Sequence, residues 1–146
     1  MITFDELNAQ NHKITELSNV LGLLLQDRSM CDNEVTVELF FQYVELVKKH
    51  LDLEDKHLYA NLLAQKDRAI NQTANRFMSG SSEIKRVFDQ YLRKWCKHRH
   101  LAIKNHDQFV KETEEMFQLV LNRIIDETEH LYPLIREVRG DAKVAA

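Results

Sequence analysis

Apolar residues recur three and four positions apart along most of the chain, the spacing of helices that bury one face. Leu7, Ile14, Leu17, Leu21 and Leu24 form the first stripe, and Thr3 with Glu6 makes a T-x-x-E capping box ahead of it. This predicts a helix over about 4–27, closed by the polar run from Asp27 to Asn33. Val37, Phe40, Val44, Val47, Leu51 and Leu58 predict a second helix over about 33–65. A connector over 66–78 leads to the run SGSS at 79–82, where Gly80 ends one element and a serine caps the next. Ile84, Val87, Phe88, Tyr91 and Leu92 predict a third helix over about 83–97. The stretch 97–105 fits either a continued helix or a loop. Phe109, Met116, Phe117, Val120, Ile124 and Leu131 predict a fourth helix over about 106–138, kinked late by Pro133. Gly140 and the tail after it read as a helix stop and a frayed end. Four long helices on short loops imply one domain over 1–146, an all-α, antiparallel up-down bundle.

Composition agrees with that class. The 146 residues include three glycines and one proline, and 44% are hydrophobic. That length suits one domain with a substantial core. A net charge of −3 gives no general case for nucleic acid or an anionic membrane. No apolar run approaches the ~20 residues of a membrane span, and the N-terminus is unlike a signal or transit peptide. Two cysteines, Cys31 and Cys96, make no disulfide framework, so a reduced, cytoplasmic setting is expected.

The chemistry enters through a repeat. Residues 50–59 read HLDLEDKHLY and residues 123–132 read RIIDETEHLY, with Glu, His, Leu and Tyr in register. The copies start at His50 and Arg123, so the chain reads as two similar hairpins. On a helix, i and i+4 share a face, so His50 and Glu54 project together from the apolar stripe of Val47, Leu51 and Leu58 into the bundle. A histidine and a carboxylate pointing inward from one helix are half of a carboxylate-type metal site. Antiparallel pairing of the first two helices brings His12 toward the same place.

His12, then His50-x-x-x-Glu54 followed by Leu58-Tyr59, then Glu127 with Leu131-Tyr132-Pro133, resembles the hemerythrin-like (HHE cation-binding) family over roughly 7–136. The resemblance implies a four-helix bundle with non-haem iron, one or two ions, in a protein that carries or senses O2 or NO, or responds to iron or redox state. It places His12, His50, Glu54 and Glu127 at ligand positions. The family has two further histidines. One corresponds to Arg123 here, and the other falls near 82–85, where Glu83 is the available substitute. His57 and His130 are the other supplementary ligand candidates, although their recurrence fits a shared structural role. Arginine cannot become a ligand by losing its proton. Arg123 can instead replace a cation, pairing with buried carboxylates. The centre therefore holds either metal or an arginine–carboxylate network, and the second alternative makes the protein a metal-free interaction module with an unknown protein partner.

The run KWCKHRH at 94–100 reads as a solvated helix end complementing the helix dipole. Cys96, beside Lys94 and Lys97, is expected to have a somewhat lowered pKa. Tyr59 and Tyr132 read as packing residues at helix ends. No nucleophile motif, phosphate loop or dinucleotide fingerprint is present, so no enzyme is expected. Histidine phosphotransfer, which also uses helical bundles, requires a solvent-facing histidine, and His50 reads as inward.

Overall fold

The computed structural model describes residues 2–139. Its helices are α1 (Phe4–Leu24), α2 (Glu34–His57), α3 (Tyr59–Leu63), α4 (Arg68–Trp95), α5 (His106–Asp126) and α6 (Tyr132–Arg139). A 3-10 turn at Arg28–Asp32 joins α1 to α2, and a π turn at Glu127–Leu131 joins α5 to α6. With α3 prolonging α2 and α6 prolonging α5, these make the four antiparallel rods of an all-α bundle.

Side-chain caps fix where the rods start. Thr3 and Glu6 bond each other's backbone N–H at 3.1 and 2.7 Å, as the capping box predicts. Asn33 caps α2, Asp67 caps α4 and Asn105 caps α5, each through a side-chain oxygen.

Three boundaries differ from expectation. The second helix does not run unbroken to 65, because it is interrupted at Leu58. The expected connector and break at 66–82 are instead the first half of α4, which starts at Arg68 and passes through SGSS without a pause. Glycine's cost in a helix, about 1 kcal/mol against alanine, is offset by packing, since Ser81 is buried and bonds Asp55 at 3.2 Å. The helix then stops at Trp95. Cys96–Lys97 (β1) pairs antiparallel with His100–Leu101 (β2), turning through His98 and Arg99 at φ 52° and 58°. Two left-handed residues in a row are what a tight hairpin turn demands. Arg99 lies over the Phe41 ring, 4.9 Å from its centroid, and bonds Glu45 at 2.9 Å. The patch at 94–100 thus begins as the end of α4, where Lys94 lies in the last turn and pairs with Glu112 at 2.8 Å, and continues as a hairpin from Cys96 instead of a solvated helix end. Cys96 departs from expectation too, because burial pushes its thiol up to about 11.

The core comes in two apolar clusters. One holds Ile14, Leu21, Phe40, Val47, Phe88 and Phe117, among others. The second holds Leu7, Leu58, Ala74, Phe77, Leu131 and Ile135, among others. Between them each rod contributes polar or small residues at one common level: Asn11 from α1, His50 and Glu54 from α2, Gly80 and Ser81 from α4, Arg123 and Glu127 from the last rod.

Candidate metal centre

Two helix irregularities aim this layer. Glu54 and Tyr59 are five residues apart, as are Glu127 and Tyr132. At 100° per residue, positions five apart diverge by about 140° on a regular α-helix. The break at Leu58 and the π turn at Glu127–Leu131 remove that divergence, so the glutamate and tyrosine of each repeat both reach the centre. In the second repeat the Tyr132 N–H bonds the Glu127 carbonyl, five residues back. Pro133 contributes here, since its ring would clash with the carbonyl four residues earlier in a regular helix. The expected late kink is therefore a π turn just before the proline. Such turns often lie at functional sites.

His50 Nδ1 donates to Gln10 Oε1 at 2.7 Å, which turns Nε2 toward the carboxylates. Nε2 lies 3.3 Å from Glu54 Oε2 and 3.2 Å from Glu127 Oε1. Tyr132 donates to Glu54 Oε2 at 3.1 Å and in turn accepts from Asn11 Nδ2 at 3.0 Å. Arg123 occupies the opposite side. Its Nε donates to Glu127 Oε2 at 3.1 Å, its Nη1 to the Phe77 carbonyl at 2.7 Å and its Nη2 to the Tyr59 hydroxyl at 2.8 Å. Its guanidinium also lies over the Phe77 ring, 4.9 Å from the centroid.

Two cations thus face two carboxylates in a buried site. Burial favours a neutral His50, but Glu54 and Glu127 overcome it and hold the imidazolium up to about 10. For Glu54, burial pushes up, yet the bond with Glu127 and the charges of His50 and Arg123 win and keep it below the usual carboxylate range. Glu127 is pushed up to about 8 by burial and by the neighbouring Glu54 charge. The two carboxylates therefore titrate as one coupled pair, in which burial and mutual repulsion oppose the second ionisation while His50 and Arg123 favour it. The Arg123 guanidinium stays charged, because Tyr59 and both carboxylates outweigh its burial.

Of the ligand positions inferred from sequence, His50, Glu54 and Glu127 meet, with one donor atom from each within 4.8 Å of the others. His12 does not. Its side chain is 78% exposed and pairs with Glu16 on the outside of α1. It is one residue from the inward position, which Asn11 holds. Glu83 is exposed and pairs with Arg86. His130 is exposed beside Glu129, and His57 lines a surface cleft with Gln10 and Glu6. These are corrections: His12, Glu83 and His130 project from the outer faces of their helices, and His57, on nearly the same face as His50, lies two turns beyond the layer. Arg123 lies where a metal-replacing cation was expected. The sequence reading missed Gln10, Asn11, Tyr59 and Tyr132. The recurrence of tyrosine five residues after glutamate in both repeats is the signal for Tyr59 and Tyr132, whose hydroxyls bond Arg123 and Glu54 instead of only packing at helix ends.

The donors fit one cation. One imidazole nitrogen and two carboxylate oxygens converge, a set that suits iron among other divalent metals. Glu54 Oε1 is buried with no hydrogen-bond partner, and Arg123 Nη2 is 3.6 Å away, an ion-pair distance but too long for a bond. The same donors do not fit a second cation, because the guanidinium fills the place beside Glu127 that one would take.

A family model described as the hemerythrin HHE cation-binding domain matches residues 3–135. The chain belongs to this family. No curated protein and no solved structure matches the chain. The family match, the helical bundle and the His–Glu–Glu cluster agree on a cation-binding domain. Among the described residues no helix is long and apolar enough to cross a membrane.

Proposed function

We propose that this domain binds a single non-haem iron ion and reports, in the cytoplasm, on O2, NO, iron or redox state, without catalysing a reaction. The observation carrying this reading is the convergence of His50 Nε2, Glu54 Oε2 and Glu127 Oε1 in a buried site. Iron bound there would supply a redox-active centre able to take a small ligand at an open coordination position. The protein's own groups do the rest. Gln10 orients the His50 ring, Tyr132 fixes Glu54, and Arg123 supplies the positive charge that a second ion would bring. On loading, His50 gives up its Nε2 proton, so uptake weakens as pH falls.

Elemental analysis after anaerobic ferrous loading tests this, with one iron per chain expected. His50→Ala is expected to abolish uptake and His12→Ala to leave it unchanged. Two irons per chain, or none, overturn the reading.

One observation favours a second reading. His50 and Arg123 already pair with Glu54 and Glu127, so the bundle needs no ion to give its buried carboxylates a partner. On this reading the domain is a metal-free interaction module, and zero iron per chain in a stably folded protein is its signature.

A further inference from the structure

Gly80 lies deep within α4, where its backbone needs no special conformation. Its use is spatial. A Cβ built there would sit 2.9 Å from Arg123 Nη1, closer than real Cβ contacts come. In a helix, the side chains three and four residues on cover the carbonyl of residue i. For Phe77 these are Gly80 and Ser81, one without a side chain and the other small. The gap lets Arg123 reach the Phe77 carbonyl at 2.7 Å while its Nε still holds Glu127 at 3.1 Å. Beside it is a cleft of about 270 Å³, lined by Phe77, Gly80, Ile84, Leu119, Arg123 and Asp126, where a displaced guanidinium would go.

We infer that Gly80 is the specificity-determining residue of the centre: its missing side chain seats Arg123 against α4, and the seated guanidinium restricts the site to one cation. Gly80 acts through Arg123, so it is a positioning residue. The part about cation number rests on the proposed iron reading, but the seating does not. Gly22 is the natural comparison, since a Cβ there meets nothing within 4 Å.

The test is a double-mutant cycle on cation-free protein, read by thermal unfolding. Gly22→Ala is expected to raise the midpoint by about 3 °C, the ordinary gain of alanine over glycine in a helix. Gly80→Ala is expected to lower it in the wild-type background and to raise it by a similar amount when Arg123 is methionine. Arg123→Gln serves as the background if Arg123→Met does not fold. A Gly80→Ala effect of the same sign in both backgrounds overturns the seating. Isothermal titration with ferrous ion tests the second part. With Arg123 displaced, the place beside Glu127 is open, and the ferrous stoichiometry is expected to rise from one ion per chain in wild type to two in Gly80→Ala. One ion per chain in both proteins overturns the restriction. A wild type that takes no iron overturns both the iron reading and the restriction, while the unfolding cycle still decides the seating.

Discussion

Arg123 is the residue on which the energetics of the centre turn. Removing one partner of a buried charge network leaves the others uncompensated. Arg123→Met is therefore expected to destabilise the cation-free protein by about 3 kcal/mol, measurable by urea unfolding. A change below about 1 kcal/mol would mean the guanidinium adds little to the fold. The pH dependence of the cation-free protein follows from the same group. His50 is raised from 6.5 to about 10, so its stabilisation is full below 6.5 and lost as pH rises through about 10. Glu127 is raised from 4.5 to about 8, so the folded state favours its protonated form and loses that advantage as pH rises through about 8. Glu54 is lowered, and its contribution is present above 4.5 and lost in acid, as pH falls through its depressed value. Melting temperature is thus expected to fall between about pH 6 and pH 9, with a smaller fall in Glu127→Gln. A flat or rising profile contradicts the charge assignment. Residue type and helical spacing were enough to read His50, Glu54, Glu127 and Arg123 as a group. They misled for His12, because pairing of α1 with α2 sets the level of a residue but not its face, and His12 points nearly opposite the apolar stripe of Leu7, Ile14, Leu17 and Leu21.

At the scale of elements, what the sequence hid were the places where small or local features override periodicity. SGSS has the composition of a break, yet tertiary packing keeps it helical, because the space beside Gly80 is filled by Arg123 from another rod. The hairpin at 96–101 was illegible because its turn uses His98 and Arg99 where glycine or asparagine would signal one. The break at Leu58 has no proline or glycine to announce it. The π turn makes a firm prediction. Such a turn is one residue more than a regular helix needs. Deleting exposed Glu129 converts it to α-helix with the faces on either side preserved, but sets Pro133 inside that helix at about 3 kcal/mol. The deletion alone is expected to lower the melting temperature by about 9 °C, and adding Pro133→Ala is expected to restore most of the loss. Deleting exposed Glu114 from the regular part of α5 rotates everything beyond it by 100° and is expected to abolish cooperative unfolding. Equal damage from both deletions would refute the account of the turn.

Over the whole molecule, the bundle, its antiparallel order and its level of polar residues were legible from apolar periodicity and the internal repeat. Periodicity says which face is inward, and the repeat says which inward residues are not apolar. An ion held by His50, Glu54 and Glu127 would tie α2 to the last rod, so loading is expected to stabilise the entire fold. At about one hundred times the dissociation constant, the gain is about 2.7 kcal/mol, or about 8 °C in melting temperature. Calorimetry with and without ferrous ion measures it, and an unchanged midpoint at saturation contradicts a site that bridges rods. The common level of the polar residues has a further consequence. Apolar faces alone tolerate slippage, since leucine meets phenylalanine nearly as well one turn higher. A shift of one turn, about 5.4 Å, would set Glu54 or Glu127 against the rings and methyl groups of either cluster and strand its charge. The layer thus keeps the four rods in step, like a pin through a stack of plates, whether or not an ion is bound.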